Sequence, residues 1–244
     1  MSNNPSIAIC IYACASKLNY LEEIRNIKRC WYLDAITNGV RVYFFLGGAE
    51  GEPIVDECSG PEFVYLPGVK NDYESASHKQ NNGIKYIFSN DETPPDYVFC
   101  CGTDTYVSIE NLIKLTKEFY PTQLLYLGGH GCHRTLDGEV LYYHSGGPGF
   151  VLSRAMVEHI ENNVVSFENM FDEWKNVCSR NGEKAMNDLL CACDVAISYF
   201  IKRGTSETTK PLIVRYDEGF CFMSDIVKIE DVVGCHYWKG EIMK

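Results

Sequence analysis

One short apolar segment, bounded by turn residues at both ends, most limits what this chain can fold into. Residues Tyr97 to Cys101 are all apolar or aromatic, follow a Pro-Pro pair and end at Gly102-Thr103-Asp104. A continuous apolar run of this length is typical of a strand buried on both faces of a sheet. A helix is predicted soon afterwards, from Ile109, with Ser108 as its N-cap. The segment therefore places one carboxylate, Asp104, at the carboxyl end of a buried strand, where open α/β sheets bind ligands.

Two roles for Asp104 follow from this position. A carboxylate there can hold a hard divalent cation, and the cation can neutralise a diphosphate. Alternatively, Asp104 only accepts hydrogen bonds from the backbone of its own turn.

The composition excludes several classes of partner. The 244 residues carry a formal net charge of -11, which argues against nucleic acid or an anionic membrane as the main partner. Several of the twelve cysteines fall within apolar runs, so we expect reduced, buried thiols rather than zinc knuckles. The first residues show no charged signal region, and the apolar run from Ile7 to Ala15 is too short to span a bilayer. We therefore expect a soluble, cytoplasmic protein without membrane insertion.

The order of apolar runs predicts the fold class. Up to residue 129, short apolar strands alternate with helical segments, which predicts an α/β fold with a mostly parallel, doubly wound central sheet flanked by helices. The predicted strands are Ile7–Cys14, Val40–Leu46, Phe63–Leu66, Tyr97–Cys101 and Leu124–Leu127, and the predicted helices are Leu18–Ile36 and Tyr73–Phe88. After residue 129 the pattern changes to a strand at Val140–Tyr143, an apolar Phe150–Leu152 segment leading into a helix near Ser153, and a helix at Met186–Lys202. We predict one domain over residues 1–244, in which the pattern of elements changes after residue 129.

Three further features carry possible chemistry. The segment Ser145-Gly146-Gly147-Pro148-Gly149 allows a backbone to approach a ligand closely, or is only a sharp chain reversal. Asp194 lies among apolar neighbours, so it is either a helix cap or a desolvated base with a raised pKa. His236 lies among Cys235, Tyr237 and Trp238, where a packed core histidine is the alternative to a ligand.

Taken together, these segments resemble the glycosyltransferase family that contains the β-1,3-galactosyltransferases, the core-1 galactosyltransferase and the Fringe β-1,3-N-acetylglucosaminyltransferases. Ser145 to Ser153 closely matches the family's Ser-Gly-Gly-Ala-Gly-Tyr-Val-Leu-Ser, and Gly102 to Val107 falls on its Asp-Asp-Asp-Thr-Tyr-Val. The remaining matches follow in the same order along most of the chain: Arg25–Trp31, Val42–Gly47, Glu74–Lys79, Cys193–Val195 and Cys235–Tyr237.

The resemblance implies a GT-A fold, a UDP-sugar donor, a manganese or magnesium ion, a glycan or glycoconjugate acceptor and inversion at the anomeric carbon. It also implies a nucleotide-binding half at 1–129 and an acceptor-binding, catalytic half at 130–244. Secretory-pathway members of the family carry a membrane anchor, so a soluble form would suit a cytosolic or virus-encoded pathway. The resemblance further implies that Asp104 and His236 bind the metal and that Asp194 is the base that deprotonates the acceptor hydroxyl. The donor-binding residues that it implies are Ala13, Arg25, Lys79, Thr103, Asp104, Gly146 and Gly147.

Two departures from the family pattern support a rival hypothesis. Gly102 and Thr103 replace the first two aspartates of the metal motif, and Cys193 replaces the glutamate before the base. The rival is a catalytically silent sugar-nucleotide or glycan-binding module with the same fold.

Overall fold

A computed structural model describes residues 4–52, 54–90, 93–129, 131–205, 211–222 and 228–236. The described strands are β1 (Ile7–Tyr12), β2 (Arg41–Gly48), β3 (Phe63–Pro67), β4 (Tyr97–Cys101), β5 (Thr105–Val107), β6 (Leu124–Gly128), β7 (Gly131–Leu136), β8 (Glu139–His144), β9 (Phe150–Ser153), β10 (Leu212–Tyr216), β11 (Phe220–Phe222) and β12 (Gly234–His236). The described helices are α1 (Leu18–Cys30), α2 (Tyr32–Thr37), α3 (Ala76–Asn90), α4 (Ile109–Thr116), α5 (Arg154–Asn163), α6 (Met170–Arg180), α7 (Glu183–Leu189) and α8 (Cys193–Thr205).

The central sheet runs in the order β10-β6-β9-β4-β1-β2-β3. Its strands are parallel except β9, which pairs antiparallel with both β4 and β6. The predicted mostly parallel sheet flanked by helices is therefore confirmed. Every residue of β4 is buried, as its continuous apolar sequence predicted.

The two faces of the sheet pack against different helices. Ile24 and Ile27 of α1 and Leu112 of α4 join one apolar core, whereas Ile84 of α3 and Ile197 of α8 join the core on the other face. The carboxyl ends of β1 and β4 are thus enclosed by helices from two opposite layers.

Two predicted helices are each divided in the structure. The segment Leu18–Ile36 forms α1 and α2, separated at Trp31, whose buried indole Nε1 donates to the Thr105 carbonyl oxygen at 3.3 Å. The segment Met186–Lys202 forms parts of α7 and α8, separated at residues 190–192. The second division is important for the site, because it places Asp194 in the first turn of a new helix.

The structure contains two small sheets besides the central one. The sequence predicted one strand of the first and did not predict the second. The hairpin of β7 and β8 contains the predicted strand at Val140–Tyr143, but β7 was not expected. The sheet β11-β12-β5 joins the segment after Asp104 to the end of the described chain. Ser108 precedes α4 as predicted, but its side chain makes no capping hydrogen bond. Within the described part of the chain, no helix has the length and apolar character needed to cross a bilayer.

Candidate active site

A cleft of about 490 Å³ lies at the carboxyl ends of β1 and β4. Of the residues predicted from the sequence, it brings together all but one: Ala13, Lys79, Thr103, Asp104, Gly146, Gly147, Asp194 and His236. These residues come from segments that are far apart in the chain. The arrangement agrees with the rule that open α/β sheets bind ligands at the carboxyl ends of their strands.

Asp104 and His236 form the most direct pair in this cleft. The Nε2 atom of His236 lies 3.0 Å from Oδ2 of Asp104. The pair results from the antiparallel pairing of β12 with β5, in which His236 lies opposite Thr105. Tyr237, the last residue of the predicted motif, lies outside the described residues.

The glycine-rich segment contacts both Asp194 and His236. A Cβ atom on Gly147 would lie 2.3 Å from Nδ1 of His236, so this position excludes any side chain while the imidazole stays in place. The Gly147 carbonyl oxygen accepts a hydrogen bond from Thr105 Oγ1 at 2.8 Å. The segment is also a sharp reversal, since Gly149 N–H donates to the Gly146 carbonyl at 3.0 Å. The chain reversal predicted from the sequence is therefore present, and close approach of this backbone to a ligand stays a prediction.

Asp194 lies at the N-terminal end of α8 and is held by two backbone donors. Its Oδ2 accepts from Gly146 N–H at 2.8 Å, and its Oδ1 accepts from Val195 N–H at 2.9 Å. Burial raises the pKa of this carboxyl, while the backbone N–H groups oppose that rise. The carboxylate contacts the glycine-rich segment instead of the N–H groups two or three residues ahead, so it is not a conventional N-cap.

The backbone around Asp194 is fixed by a buried hydroxyl network. Ser198 Oγ donates to the Asp194 carbonyl oxygen at 2.8 Å, and the Tyr126 hydroxyl lies 2.8 Å from the same Oγ. Because Tyr126 belongs to the central sheet, this network ties the first turn of α8 to β6.

Lys79 is a buried cation at the edge of the cleft. Its side chain is almost fully enclosed, and Nζ donates to the Asp72 carbonyl oxygen at 2.6 Å. Burial lowers the pKa of this ammonium group. Ala13, just after β1, is also buried, and its N–H donates to the Phe45 carbonyl at 2.9 Å. Lys79 can thus present a positive charge to an anionic ligand, whereas Ala13 contributes only backbone and a small surface.

Arg25 is the predicted site residue that the structure places elsewhere. Its guanidinium group binds both carboxylate oxygens of Glu57 at 2.7 Å and one of Glu22 at 2.9 Å. It is not among the residues lining the cleft. The helical face that carries Arg25 turns toward the Glu57 loop, so the structure does not bring Arg25 to the cleft with the other predicted residues, and its role in donor binding stays an untested prediction.

Sequence reasoning missed several residues of the cleft, among them Glu23 and Tyr12. Glu23 of α1 reaches Thr103, whose hydroxyl donates to Oε2 of Glu23. The Tyr12 hydroxyl lies 3.5 Å from the Gly146 carbonyl oxygen, and burial raises the pKa of this phenol. An apolar-periodicity analysis of α1 could not single out Glu23, because only its contact with Thr103 distinguishes it from neighbouring polar residues.

The donor set fits a cation that is bound together with a phosphate ligand. Asp104 and His236 offer one carboxylate and one imidazole, both acceptable ligands for manganese. Among the described residues, no group of three or more His, Cys, Asp or Glu side chains could hold a metal ion by itself. Oxygens from a diphosphate and water would therefore have to complete the coordination.

Comparison with solved structures identifies the fold. A glycosyltransferase involved in the glycosylation of the major capsid of PBCV-1 matches with a TM-score of 0.51 at 14% identity, over 95% of this chain and 92% of that chain. The galactosyltransferase LgtC, solved with donor and acceptor sugar analogs, matches with a TM-score of 0.52 at 11% identity, over 95% and 86%. A comparison with curated protein sequences gives no match. The architecture is thus the predicted GT-A fold.

The family of this chain is identified from its amino-acid sequence and not from its structure. The Fringe-like family model matches residues 72–206, which is more than half of the chain. The chain therefore belongs to the Fringe-like family of glycosyltransferases, and the resemblance noted from its motifs is confirmed.

Proposed function

We propose that this protein is a metal-dependent, inverting glycosyltransferase that moves a sugar from a UDP-sugar donor to a hydroxyl group of a glycan or glycoconjugate. One observation carries the proposal. A single cleft contains a desolvated carboxylate, Asp194, and a carboxylate–imidazole pair, Asp104 and His236. Inverting transfer needs these two functions on opposite sides of the donor sugar.

Asp194 is proposed as the general base. In the transfer step the acceptor oxygen forms a bond to the anomeric carbon while the bond from that carbon to the diphosphate oxygen breaks. The acceptor hydroxyl proton passes to Asp194, and the electron pair of the broken bond leaves with UDP. The raised pKa makes Asp194 a stronger base than an exposed aspartate, and the Gly146 N–H bond orients its carboxylate.

Asp104 and His236 are proposed to hold the cation. A bound manganese or magnesium ion would supply positive charge to the leaving diphosphate. The protein's own contribution is to place a carboxylate oxygen and an imidazole nitrogen side by side, supported by the strand pairing of β5 and β12. Lys79 adds a second positive charge near the same cleft.

The rival function, a silent binding module, is favoured by one specific observation. Gly102 and Thr103 leave Asp104 as the only carboxylate of the metal motif. A weakened metal site would bind a nucleotide without turning it over. Such a module would bind UDP yet show neither hydrolysis nor transfer of any UDP-sugar donor.

A thermal-shift screen with nucleotide diphosphates, with and without manganese, tests the proposal. UDP at 100 times its dissociation constant should add about 2.7 kcal/mol to the free energy of unfolding. We expect this stabilisation to require manganese and to be weaker with ADP. Metal-dependent hydrolysis of UDP-sugars without an acceptor then separates the enzyme from the silent module. No stabilisation by UDP under any metal condition would refute both the enzyme and a nucleotide-binding module, leaving only a module that binds glycan.

A further inference from the structure

Two adjacent glutamates of α1 have different surroundings. Glu22 is exposed and pairs with Arg25 at 2.9 Å and with Arg29 at 3.0 Å. Glu23 is half-buried, lines the cleft and accepts a hydrogen bond from the Thr103 hydroxyl. Within the described part of the chain, Glu23 forms no ion pair with a lysine or arginine. Its carboxylate is thus positioned at the cleft by a neutral donor, with acceptor capacity left for a ligand.

Glu23 approaches the cleft from the opposite side to the proposed base. The α1 helix packs on one face of the central sheet through Ile24, and α8 packs on the other face through Ile197. Asp104 follows β4, a strand of the sheet between these two layers. Burial raises the pKa of the Glu23 carboxyl, while the hydrogen bond from Thr103 lowers it. Because Thr103 directly precedes Asp104 in the chain, its hydrogen bond to Glu23 holds this carboxylate close to the proposed cation ligands.

The chemistry of a nucleotide sugar then gives Glu23 a role. The donor sugar must lie toward Asp194, and the diphosphate must lie near Asp104 and His236. The ribose is attached directly to the diphosphate at its other end, so it extends away from the base. A carboxylate on the side of the diphosphate away from Asp194 would meet the 2′ and 3′ hydroxyls of that ribose. These hydroxyls can donate hydrogen bonds to the carboxylate.

We propose that Glu23, oriented by the Thr103 hydroxyl, accepts hydrogen bonds from the ribose hydroxyls of the nucleotide donor. Glu23 would thereby supply from α1 a second carboxylate that the motif at residues 102–104 lacks. This inference rests on the proposed function, because it assumes a nucleotide-sugar donor in the cleft. A side chain at residue 102 would be crowded, since a Cβ on Gly102 would lie 3.1 Å from Oδ1 of Asp104. A carboxylate from another element avoids that crowding.

Calorimetric titration with UDP, 2′-deoxy-UDP and 3′-deoxy-UDP in the presence of manganese tests this role. The wild-type protein should bind UDP roughly tenfold or more tightly than at least one deoxy analogue, as expected for loss of a hydrogen bond to a charged group. Glu23→Gln should reduce this ratio of UDP affinity to deoxy-UDP affinity several-fold, mainly by weakening the binding of UDP. Glu23→Ala should bring the ratio close to one. Thr103→Val should reduce the ratio less, because it removes only the orienting donor. Glu22→Gln, its exposed neighbour, is the matched control and should keep the wild-type ratio.

The outcomes distinguish this inference from the proposed function. If UDP binds but the wild-type ratio is near one, or if Glu23→Gln and Glu23→Ala keep the wild-type ratio, the ribose role is overturned and the proposed function stands. A loss of manganese affinity in Glu23→Gln with an unchanged ratio would also overturn it, since Glu23 would then act on the cation. Absence of UDP binding by the wild-type protein overturns both. Melting temperatures of all variants ensure that folded proteins are compared.

Discussion

The backbone N–H of Gly146 donates a hydrogen bond to Oδ2 of Asp194 at 2.8 Å, although 48 positions separate the two residues in sequence. A Cβ on Gly146 would lie 3.0 Å from the Cβ of Asp194, so the two chain segments are in close contact. The glycine-rich segment and the first turn of α8 therefore fix one another. The same segment also limits the position of His236 through Gly147.

Replacing Asp194 with Asn should separate binding from catalysis. The amide cannot accept the acceptor proton, so kcat should fall by about 10²–10⁴-fold or more, while manganese-dependent UDP affinity stays near the wild-type value. Asn offers one oxygen to two backbone N–H donors, so we expect a loss of about 1–3 kcal/mol in the free energy of unfolding. Steady-state kinetics, calorimetry and melting temperature on the same variant measure the three effects.

Asp172→Asn is the matched control for that substitution, because Asp172 is also a first-turn aspartate, in α6, and is exposed. It should change neither kcat nor UDP affinity. A folded Asp194→Asn protein with near-normal kcat would exclude Asp194 as the base.

Replacing Asp104 with Asn should remove the metal dependence of nucleotide binding. The carboxylate is the proposed charged ligand of the cation, and an amide oxygen binds a divalent cation more weakly. UDP affinity of the variant should be similar with and without manganese, as measured by calorimetry. Retention of the full manganese effect in Asp104→Asn would contradict the assignment.

A methyl group on Gly147 should act through His236. Because a Cβ there would lie 2.3 Å from Nδ1 of His236, Gly147→Ala must displace the imidazole or the loop. We expect Gly147→Ala and His236→Ala to weaken manganese-dependent UDP binding to a similar degree. The double variant should be little worse than either single variant, since both remove the same ligand.

Gly131→Ala provides the control, because a Cβ on Gly131 meets no atom within 4 Å and its φ is not positive. It should bind UDP and manganese as the wild-type protein does. If the losses of UDP-binding free energy from the two single variants add in the double variant, Gly147 and His236 act independently.

His144 should make the protein less stable in weak acid. Its ring is buried at the end of β8, packed at 4.5 Å from the Tyr126 ring centroid, and burial lowers its pKa to about 4. An unfolded histidine titrates near 6.5, so the stability due to neutral His144 is complete above pH 6.5 and declines as the pH falls toward 4. The full change corresponds to about 3 kcal/mol.

The variant His144→Phe keeps an aromatic ring and removes the titrating group. Neither ring nitrogen of His144 makes a well-formed hydrogen bond among the described residues, and the Tyr126 backbone interacts with the ring only weakly, so the substitution removes little besides the titrating group. Its stability advantage over the wild-type protein should grow between pH 7 and pH 4.5 in urea denaturation. His133→Phe, at an exposed position of β7, should follow the wild-type profile. A His144→Phe profile parallel to that of the wild type would disprove the prediction.

The sequence by itself determined the features that depend on local patterns. The continuous apolar run at Tyr97–Cys101 predicted a strand buried on both faces, because a parallel strand between two helical layers has no solvent-facing side. The same run placed Asp104 just beyond the carboxyl end of that strand. The ordered motifs, with the glycine-rich segment foremost, also pointed to the family that the comparison confirms.

Other features depended on which distant segments pair. The position of His236 beside Asp104 requires β12 to pair with β5, and no periodicity within either three-residue strand specifies that partner. The breaks between helices at Trp31 and at residues 190–192 were also not predicted. The segments on both sides of each break are helical, so helical periodicity alone does not reveal where tertiary packing interrupts the helix.

Two of the charged residues of α1, Glu23 and Arg25, show the same limit most clearly. Arg25 was assigned to the donor site and Glu23 was overlooked, yet the structure turns Arg25 toward Glu57 and Glu23 toward Thr103. Helical periodicity fixes the angle between the two side chains but not which one faces the cleft. That choice is made by how Ile24 and Ile27 pack against the sheet, and only the tertiary structure contains it.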